Sequence, residues 1–487
     1  MYQIKNSEDT YKRLSELKAF RFVRIDYKVK PGTEDSLNCT IDLNPVLKNS
    51  FSVETEGTNT GGNLGVSGSI IFQNKNVFHG GEVFEVKLTG GLEIQRLLQQ
   101  QGGNSNISLK TGIPFNTLEF GPEVNLYVPK FLVPFKLFES KTSNPKTIFT
   151  FTTNYQQQPD YTRLINKISY GYTWKRNKFI TNQLNPIEVS FVKANLTDTS
   201  FNRIIETNPD ILIRNAYESH LVTDTRYSFV YNDQIFGTSR NHQYFKFDVE
   251  SSGNILRGAF NLIKAKKDTN GSYDILNVPF SQYLRADADY RFYDKVADHQ
   301  YLVFRGFAGA GLTLANLQGL PFEKSFYGGG ADDIRAWVIR SLGPGNYNGV
   351  SNFDQIGDMQ LEANAEYRVK LFKQLNGAVF VDAGNVWLMN KQGQDQPDLQ
   401  GQFFQLNQFY KQVAIGTGIG ARFDFSFFII RLDLGIKVYD PYFESMSTKD
   451  CWVVDHWFDP SWKSWFNTKY GSSYAFTNLN LGIGYPF

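Results

Sequence analysis

Between residues 358 and 371 the chain alternates without a break. Asp358, Gln360, Glu362, Asn364, Glu366, Arg368 and Lys370 fall on even positions, and Met359, Leu361, Ala363, Ala365, Tyr367, Val369 and Leu371 on odd ones. Successive side chains of a strand point to opposite faces, so one face here is wholly polar and the other apolar or aromatic. The same split sets Arg431, Asp433, Gly435 and Lys437 against Leu432, Leu434, Ile436 and Val438, and Arg285, Asp287, Asp289 and Arg291 against Leu284, Ala286, Ala288, Tyr290 and Phe292. The last segment sets Asn478, Asn480, Gly482 and Gly484 against Leu479, Leu481, Ile483, Tyr485 and Phe487. A soluble antiparallel sheet with one wet face alternates too. Here, however, the segments run roughly ten residues or more, the length of a tilted membrane-spanning strand, and their apolar faces end in Tyr, Trp or Phe, as interfacial girdles do. Charges also stand in rows with no helical pattern nearby to cover them, which a water-filled interior accommodates.

The expected fold is therefore all-β, a 16-stranded antiparallel transmembrane β-barrel, since sixteen candidate strands fall between residues 51 and 487. An even number suits a single-chain bacterial barrel. Short turns such as 76–81 alternate with long connections such as 99–116, 195–220, 252–281, 315–356 and 441–476, so long and short loops are expected on opposite rims, the long ones extracellular. Residues 48–487 form this unit. Residues 1–47 do not fit it: Ser7-Glu-Asp opens a helical stretch to Ala19, with Leu14, Leu17 and Phe20 at helical spacing, and strands follow at 22–29 and 36–42 around Lys30-Pro31-Gly32. A helix and two strands look like the tail of a small α/β module.

Other classes are disfavoured. In 487 residues there is no run of eighteen apolar ones, which excludes a helical membrane protein, and the net charge of +2 gives no bias towards nucleic acid. The five histidines lack ligand spacing, no Gly-x-Ser-x-Gly occurs, and Gly416-Thr-Gly418-Ile-Gly420 alternates within a strand without a following helix, so it reads as small strand residues. Neither enzymatic activity nor a cofactor or metal is expected. Cys39 and Cys451 are expected on opposite sides of a membrane and unpaired. Met1-Tyr-Gln-Ile-Lys leads into a charged stretch with no apolar core of signal length, so the native start of an exported chain is expected upstream.

A glycine-rich loop with one arginine, Phe326-Tyr-Gly-Gly-Gly-Ala-Asp-Asp-Ile-Arg335-Ala-Trp337, runs on to Gly343-Pro344-Gly345 and is followed by Phe380-Val-Asp382-Ala-Gly384-Asn-Val-Trp387. With the alternation and the leading helix and strands, these residues resemble the bacterial surface-antigen superfamily, whose members include the BamA and TamA outer-membrane assembly proteins. The resemblance covers the whole chain. It implies that 1–47 is the C-terminal part of a periplasmic polypeptide-transport-associated (POTRA) domain, and that the loop 315–356 inserts into the lumen of an outer-membrane barrel. Arg335, Trp337, Gly329 and Gly343 are then its lock residues, docking on Glu366, Phe380, Asp382 and Gly384. The family's loop core is V/I-R-G-aromatic, and Ala336 departs from it. A guanidinium withdrawn from water needs charged partners of bidentate geometry, and Asp382 and Glu366 both fall on the polar face. Which of them takes the main pairing is open, and a solvated Arg335 beside ordinary lumen charges is the alternative.

Gly482 and Gly484 weaken a strand interior and Pro486 cannot donate to a ladder, so the last strand is expected to pair poorly with the first. The seam would lie between Val53, Thr55 and Gly57 on one side and Asn480, Gly482, Gly484, Pro486 and Phe487 on the other. The same glycines would also relieve crowding in a barrel that never opens. The resemblance implies a lateral gate for assembling and inserting outer-membrane proteins, working with lipids, unfolded clients and TamB-like or BAM-like accessory subunits. The alternative is a two-partner-secretion transporter that exports a client through the lumen. Phe487 resembles the aromatic end by which outer-membrane proteins are themselves recognised. Segments 129–135 and 192–195, the latter with a helix expected after it, resemble surface antigens of the Bacteroidetes, the TamL type. The aromatic loop around Trp452, Asp455-His456-Trp457, Trp462 and Trp465 is either a docking surface or a self-packed cap.

Overall fold

A computed structural model describes residues 3–32, 36–60, 63–94, 116–133, 144–158, 161–196, 202–203, 205, 217–235, 240–267, 271–275, 278–314, 316, 319–347, 354–389, 401–425, 428–446, 451–470 and 474–487. The N-terminal part is a helix, Ile4–Glu16 (α1), and an antiparallel hairpin of Phe20–Val29 (β1) and Leu37–Pro45 (β2). The helix starts a turn before Ser7, which stands inside it, and Leu17 becomes its C-cap. Val23, Ile25 and Tyr27 pair with Leu43, Ile41 and Cys39, giving the hairpin one apolar face.

The rest is one antiparallel sheet of sixteen strands. Its first nine are Asn49–Thr60 (β3), Asn63–Asn74 (β4), Val83–Glu93 (β5), Thr117–Val128 (β6), Lys146–Gln157 (β7), Tyr161–Lys175 (β8), Ile180–Leu196 (β9), His220–Asn232 (β10) and His242–Ser252 (β11). A helix, Asn254–Leu262 (α2), and a small hairpin of Asp274–Ile275 (β12) and Val278–Pro279 (β13) lie outside the sheet. The sheet resumes with Tyr283–Ala297 (β14), Gln300–Thr313 (β15), Met359–Lys370 (β16), Leu375–Trp387 (β17), Ala414–Asp424 (β18), Ile429–Tyr439 (β19) and, after the helix Pro460–Tyr470 (α3), Thr477–Ile483 (β20). Each strand pairs with its sequence neighbour in the sheet, as expected of a meander built from period-two segments.

The pleat sorts the side chains as the sequence does. Val379, Val381, Ile419, Leu432 and Leu479 stand exposed on the outer face, while Glu366, Asp382, Arg422 and Asp433 are buried on the concave polar face, called here the lumen. Long connections gather on the rim reached by the C-terminal ends of β5, β9, β11, β15, β17 and β19. The segregation is incomplete: β3 ends at Thr60 and β4 begins at Asn63 on that same rim, a connection of two residues, whereas 129–145 is long on the other. The self-packed alternative holds for the aromatic loop, because Trp462 and Phe466 of α3 are buried with Phe443, Cys451, Val453 and Phe476. Cys39 is exposed on β2, whereas Cys451 is buried in the aromatic loop. The end of the 129–135 motif and the residues just after Leu196, where a helix was expected, lie outside the described residues.

Two expectations need correction. The sheet is not closed into a complete barrel: among the described residues no hydrogen-bonded ladder joins β3 to β20. The last strand also does not run to the C-terminus. It ends at Ile483, because Gly484 adopts φ +84° and turns the tail out of the sheet. Phe487 therefore leaves the outer face that alternation assigned to it and is buried.

Candidate functional site

The lumen loop begins on one part of the wall and ends on another. Near its start, Glu323 lies 3.5 Å from Arg163 of β8 and 3.2 Å from His220 of β10, and Lys324 pairs with Asp224 of β10 and Glu250 of β11 at 2.8 and 2.6 Å. Burial pushes the Glu323 carboxyl up, but His220 and Arg163 outweigh it and hold the group down to about 2. Glu323 thus stays ionised beside Lys324 where the loop meets this wall.

From there it crosses the lumen to β16–β20. Arg335 is fully buried. Its Nε and Nη2 donate to the two oxygens of Asp382 at 2.9 and 2.8 Å, its backbone N–H donates to Asp382 Oδ2 at 3.1 Å, and Nη1 donates to Glu366. The question left open by the sequence is answered by geometry: Asp382 takes the bidentate fork and Glu366 the remaining edge. The guanidinium carbon also sits 3.4 Å from the centre of the Phe380 ring, a cation over a π face.

The loop backbone fits because its floor and its own turn are glycine. A Cβ at Gly384 would lie 2.9 Å from Ile334 Cδ1. At Gly329 the backbone has φ +92° and a Cβ would strike the Val338 carbonyl, so only glycine makes this turn without strain. Trp337 is buried beside Ile334, Ala336, Leu342 and Ala414, with Lys437 Nζ 5.0 Å from its ring centre. Gly343, at φ +81°, abuts Asn385 and Val386 at the end of β17. Every expected lock residue thus belongs to one docked assembly.

Sequence reasoning missed the breadth of the charge network. Arg422 of β18 bridges Glu366 at 3.1 Å and Asp433 at 2.7 Å, Arg368 donates to Glu366 at 2.7 Å, and Arg431 reaches Asp332 of the loop at 2.6 Å. All were visible as polar-face positions. Period two reports the face a residue occupies, not its partner across the lumen.

The last strand is part of the same assembly. Asn480 Nδ2 donates to the Arg335 carbonyl at 2.8 Å, and Asn478 Nδ2 lies 3.1 Å from the carbonyls of Arg335 and Trp337. Past Gly484 the tail turns under the loop, where Arg368 donates to the Phe487 carbonyl at 3.1 Å and the Phe487 ring centre lies 5.6 Å from the Arg335 guanidinium. Gly482 makes room for Arg431, whose Nε would sit 2.8 Å from a Cβ there, so crowding is what this glycine relieves. Pro486 is buried with the tail. On the facing edge, Val53 is exposed, Thr55 follows it on the outer face, and a Cβ at Gly57 would lie 3.6 Å from Ile483 Cδ1. Asn480 points into the lumen and Thr55 away from it, so the two edges meet at Gly57 and Ile483, not at Thr55 and Asn480.

We expect Asn478→Ala/Asn480→Ala to free the loop carbonyls and loosen β20 before any other strand, at about 1–3 kcal/mol for each buried group left unpaired. Amide exchange of 477–483 reads it; unchanged protection there would show that the asparagines do not tie strand to loop.

The geometry can be set beside known proteins. A family model described as the Omp85 superfamily domain matches residues 102–445. No curated protein matches the sequence. Among solved structures, BamA from Haemophilus ducreyi lacking POTRA domains 1–3 superposes with a TM-score of 0.59 at 12% identity, covering 89% of this chain and 74% of that one. CdiB from Acinetobacter baumannii (11% identity, 91% of this chain, 66% of that one) and CdiB from Escherichia coli (12%, 90% and 67%) each give a TM-score of 0.47. The BamA likeness concerns the fold alone. The family match is wider in meaning, because it takes in the lumen loop, both carboxylates that receive its arginine and most of the strands around them: the chain belongs to the Omp85 superfamily.

Proposed function

We propose that this protein assembles or inserts other polypeptides into the bacterial outer membrane, through a lateral seam between β3 and β20. The observation that carries the reading is the seam itself: the end strands approach at Gly57 and Ile483, yet no ladder joins them among the described residues. A ladder of about six bonds at about 1 kcal/mol each would otherwise have to be broken. Unpaired N–H and C=O groups on a strand edge are a template for another strand, so a client can add to the edge and leave as its own sheet forms. The seven residues of β20 against the twelve of β3 leave part of the β3 edge unmatched for such pairing.

Export through the lumen, as a two-partner-secretion transporter would perform it, fits less well. The loop spans the lumen between two parts of the wall and Phe487 lies beneath it, so a passing chain would first have to break a buried network of charge pairs. In the orientation that goes with the proposal, the long-loop rim is extracellular, and residues 1–47 are the end of a periplasmic POTRA domain placed to hand clients or accessory subunits to the short-turn rim. No cofactor is called for.

The direct test is reconstitution of the full protein in liposomes with a urea-unfolded outer-membrane protein as client. Folding, read by heat-modifiable gel migration, is expected to run faster than in protein-free liposomes; an identical rate would sink the proposal.

A further inference from the structure

The outer wall is covered in one place. After β11 the chain turns at Gly253, with φ +66°, into α2 and returns through β12 and β13 to Phe280, which bridges to Leu221 of β10. Leu256 and Phe260 of α2 pack with Phe280 against Leu221, Val189 and Phe191. These wall positions are on the outer face: Val189 and Phe191 share the parity of Ile187, which is 58% exposed, whereas Glu188 and Val192 are buried on the lumen side. So α2 lies against the outside of the wall, at the long-loop rim. Its seat is fixed, since Asn254 Nδ2 donates to Ser251 Oγ at 2.9 Å and Arg257 Nη1 to Gln282 Oε1 at 3.1 Å.

The side of α2 turned away from the wall is apolar as well. Ile255, Ala259, Leu262 and Ile263 recur at i, i+4, i+7 and i+8, which is one helical stripe. Ile255, Leu262 and Ile263 are 80%, 85% and 72% exposed, and Lys264 and Lys266 follow at once, also exposed.

We propose that α2 is a membrane-interface helix, its stripe seated in the boundary of the hydrocarbon and Lys264 and Lys266 engaging the anionic phosphate groups of lipid headgroups. The stripe continues the outer apolar face of the barrel, with Ile187 exposed below the covered patch and Leu284 exposed on β14, so the occupant of that face is also the occupant of the helix. An apolar face edged by lysines is the pattern that lies in a headgroup boundary. In the strand order β9 and β10 stand far from both β3 and β20, so the helix anchors wall remote from the seam. It would hold that wall at fixed depth while the seam is free to move, and it does not depend on what the seam does.

The test places single cysteines at Ile255, Leu262 and Ile263 in a Cys39→Ser/Cys451→Ser background, spin-labels them, and reconstitutes the full chain in liposomes. Labels at Ile187→Cys and Asp298→Cys serve as lipid and water controls. Collisions with oxygen relative to a nickel chelate are expected to be several-fold higher at the three helix positions than at 298, and close to 187. Adding phosphatidylglycerol to phosphatidylcholine liposomes is expected to deepen the helix labels, and Lys264→Glu/Lys266→Glu to abolish that deepening, at about fivefold in lipid affinity per lysine. Helix labels that follow 298 in both liposomes, while 187 still reports lipid, would overturn the proposal and place the stripe in water. Deepening that survives the lysine replacements would overturn the phosphate contact.

Discussion

Arg335→Ala is expected to release the lumen loop while leaving the strands intact. The replacement strands Asp382 in a buried site, while Glu366 keeps Arg368 and Arg422, and removing one partner of a buried pair costs about 3–5 kcal/mol. The sheet has its own ladders and does not need that energy. The loop does: Arg335 supplies a bidentate pair, a backbone contact and the cation over Phe380, and its carbonyl receives Asn480. Amide exchange of 326–345 should therefore rise by at least two orders of magnitude, with unchanged far-ultraviolet circular dichroism and lowered client folding in liposomes. Arg335→Lys should fall between, because an ammonium keeps the charge but cannot fork across two oxygens. A double replacement of Arg335 and Asp382 by apolar residues of similar volume, with Glu366 left to Arg368 and Arg422, would separate charge balance from docking, and recovered protection there is the expected sign that a stranded Asp382 causes the loss. Unchanged exchange of 326–345 in Arg335→Ala would remove this residue from its assigned role.

How much of this could be read beforehand follows from what a strand encodes. Alternation in 358–371 fixes that Glu366 faces the lumen, and the glycines at 328–330 mark a sharply turned loop, so the loop and two wall carboxylates were legible. Arg422, Arg431 and Asp433 were equally polar-faced, but nothing local distinguishes a lumen charge bound to the loop from one bound to water. The glycines of β18 illustrate the same limit. Gly416 and Gly418 looked like small strand residues, yet Gly416 receives Ala336, whose Cβ would be 2.6 Å from its own, and Gly418 receives the Phe380 ring. The reason for the first lies in the lumen loop and for the second on the neighbouring strand β17, both beyond any local window. The C-terminal tail was misplaced because alternation continues through Tyr485 and Phe487 while the backbone does not: Gly484 at φ +84° ends the ladder, and cationic side chains inside the lumen attract the aromatic rings. Helix α2 was missed since its apolar stripe spans only nine residues inside a long loop.

Locking the seam is the second large expected effect. The pair to cross-link is Gly57→Cys with Ile483→Cys, since a Cβ at 57 already lies 3.6 Å from the end of the Ile483 side chain and neither position faces the lumen. A disulfide needs Cβ atoms about 3.5–4.5 Å apart, so positions 55, 57 and 59 should be scanned against 481 and 483 to find the register. Asn480 is unsuitable, because replacing it removes the contact to the Arg335 carbonyl and confounds lock with loop. In liposomes the oxidised pair should abolish client folding and reductant should restore it, with each single cysteine behaving as the parent. Combining the lock with Arg335→Ala then orders the two elements. The last strand and the tail both reach the loop, through Asn478, Asn480 and Phe487, so a docked loop restrains one side of the gate, while among the described residues no ladder ties β3 to it. Client folding is already abolished by the lock, so the order is read by amide exchange: if the loop acts by holding β20, the cross-link should return the protection of 477–483 that Arg335→Ala lowers. Full client folding through an oxidised, fully cross-linked seam would eliminate lateral insertion and return the lumen as the route, and the effect of Arg335→Ala would then report on a plug instead of a gate.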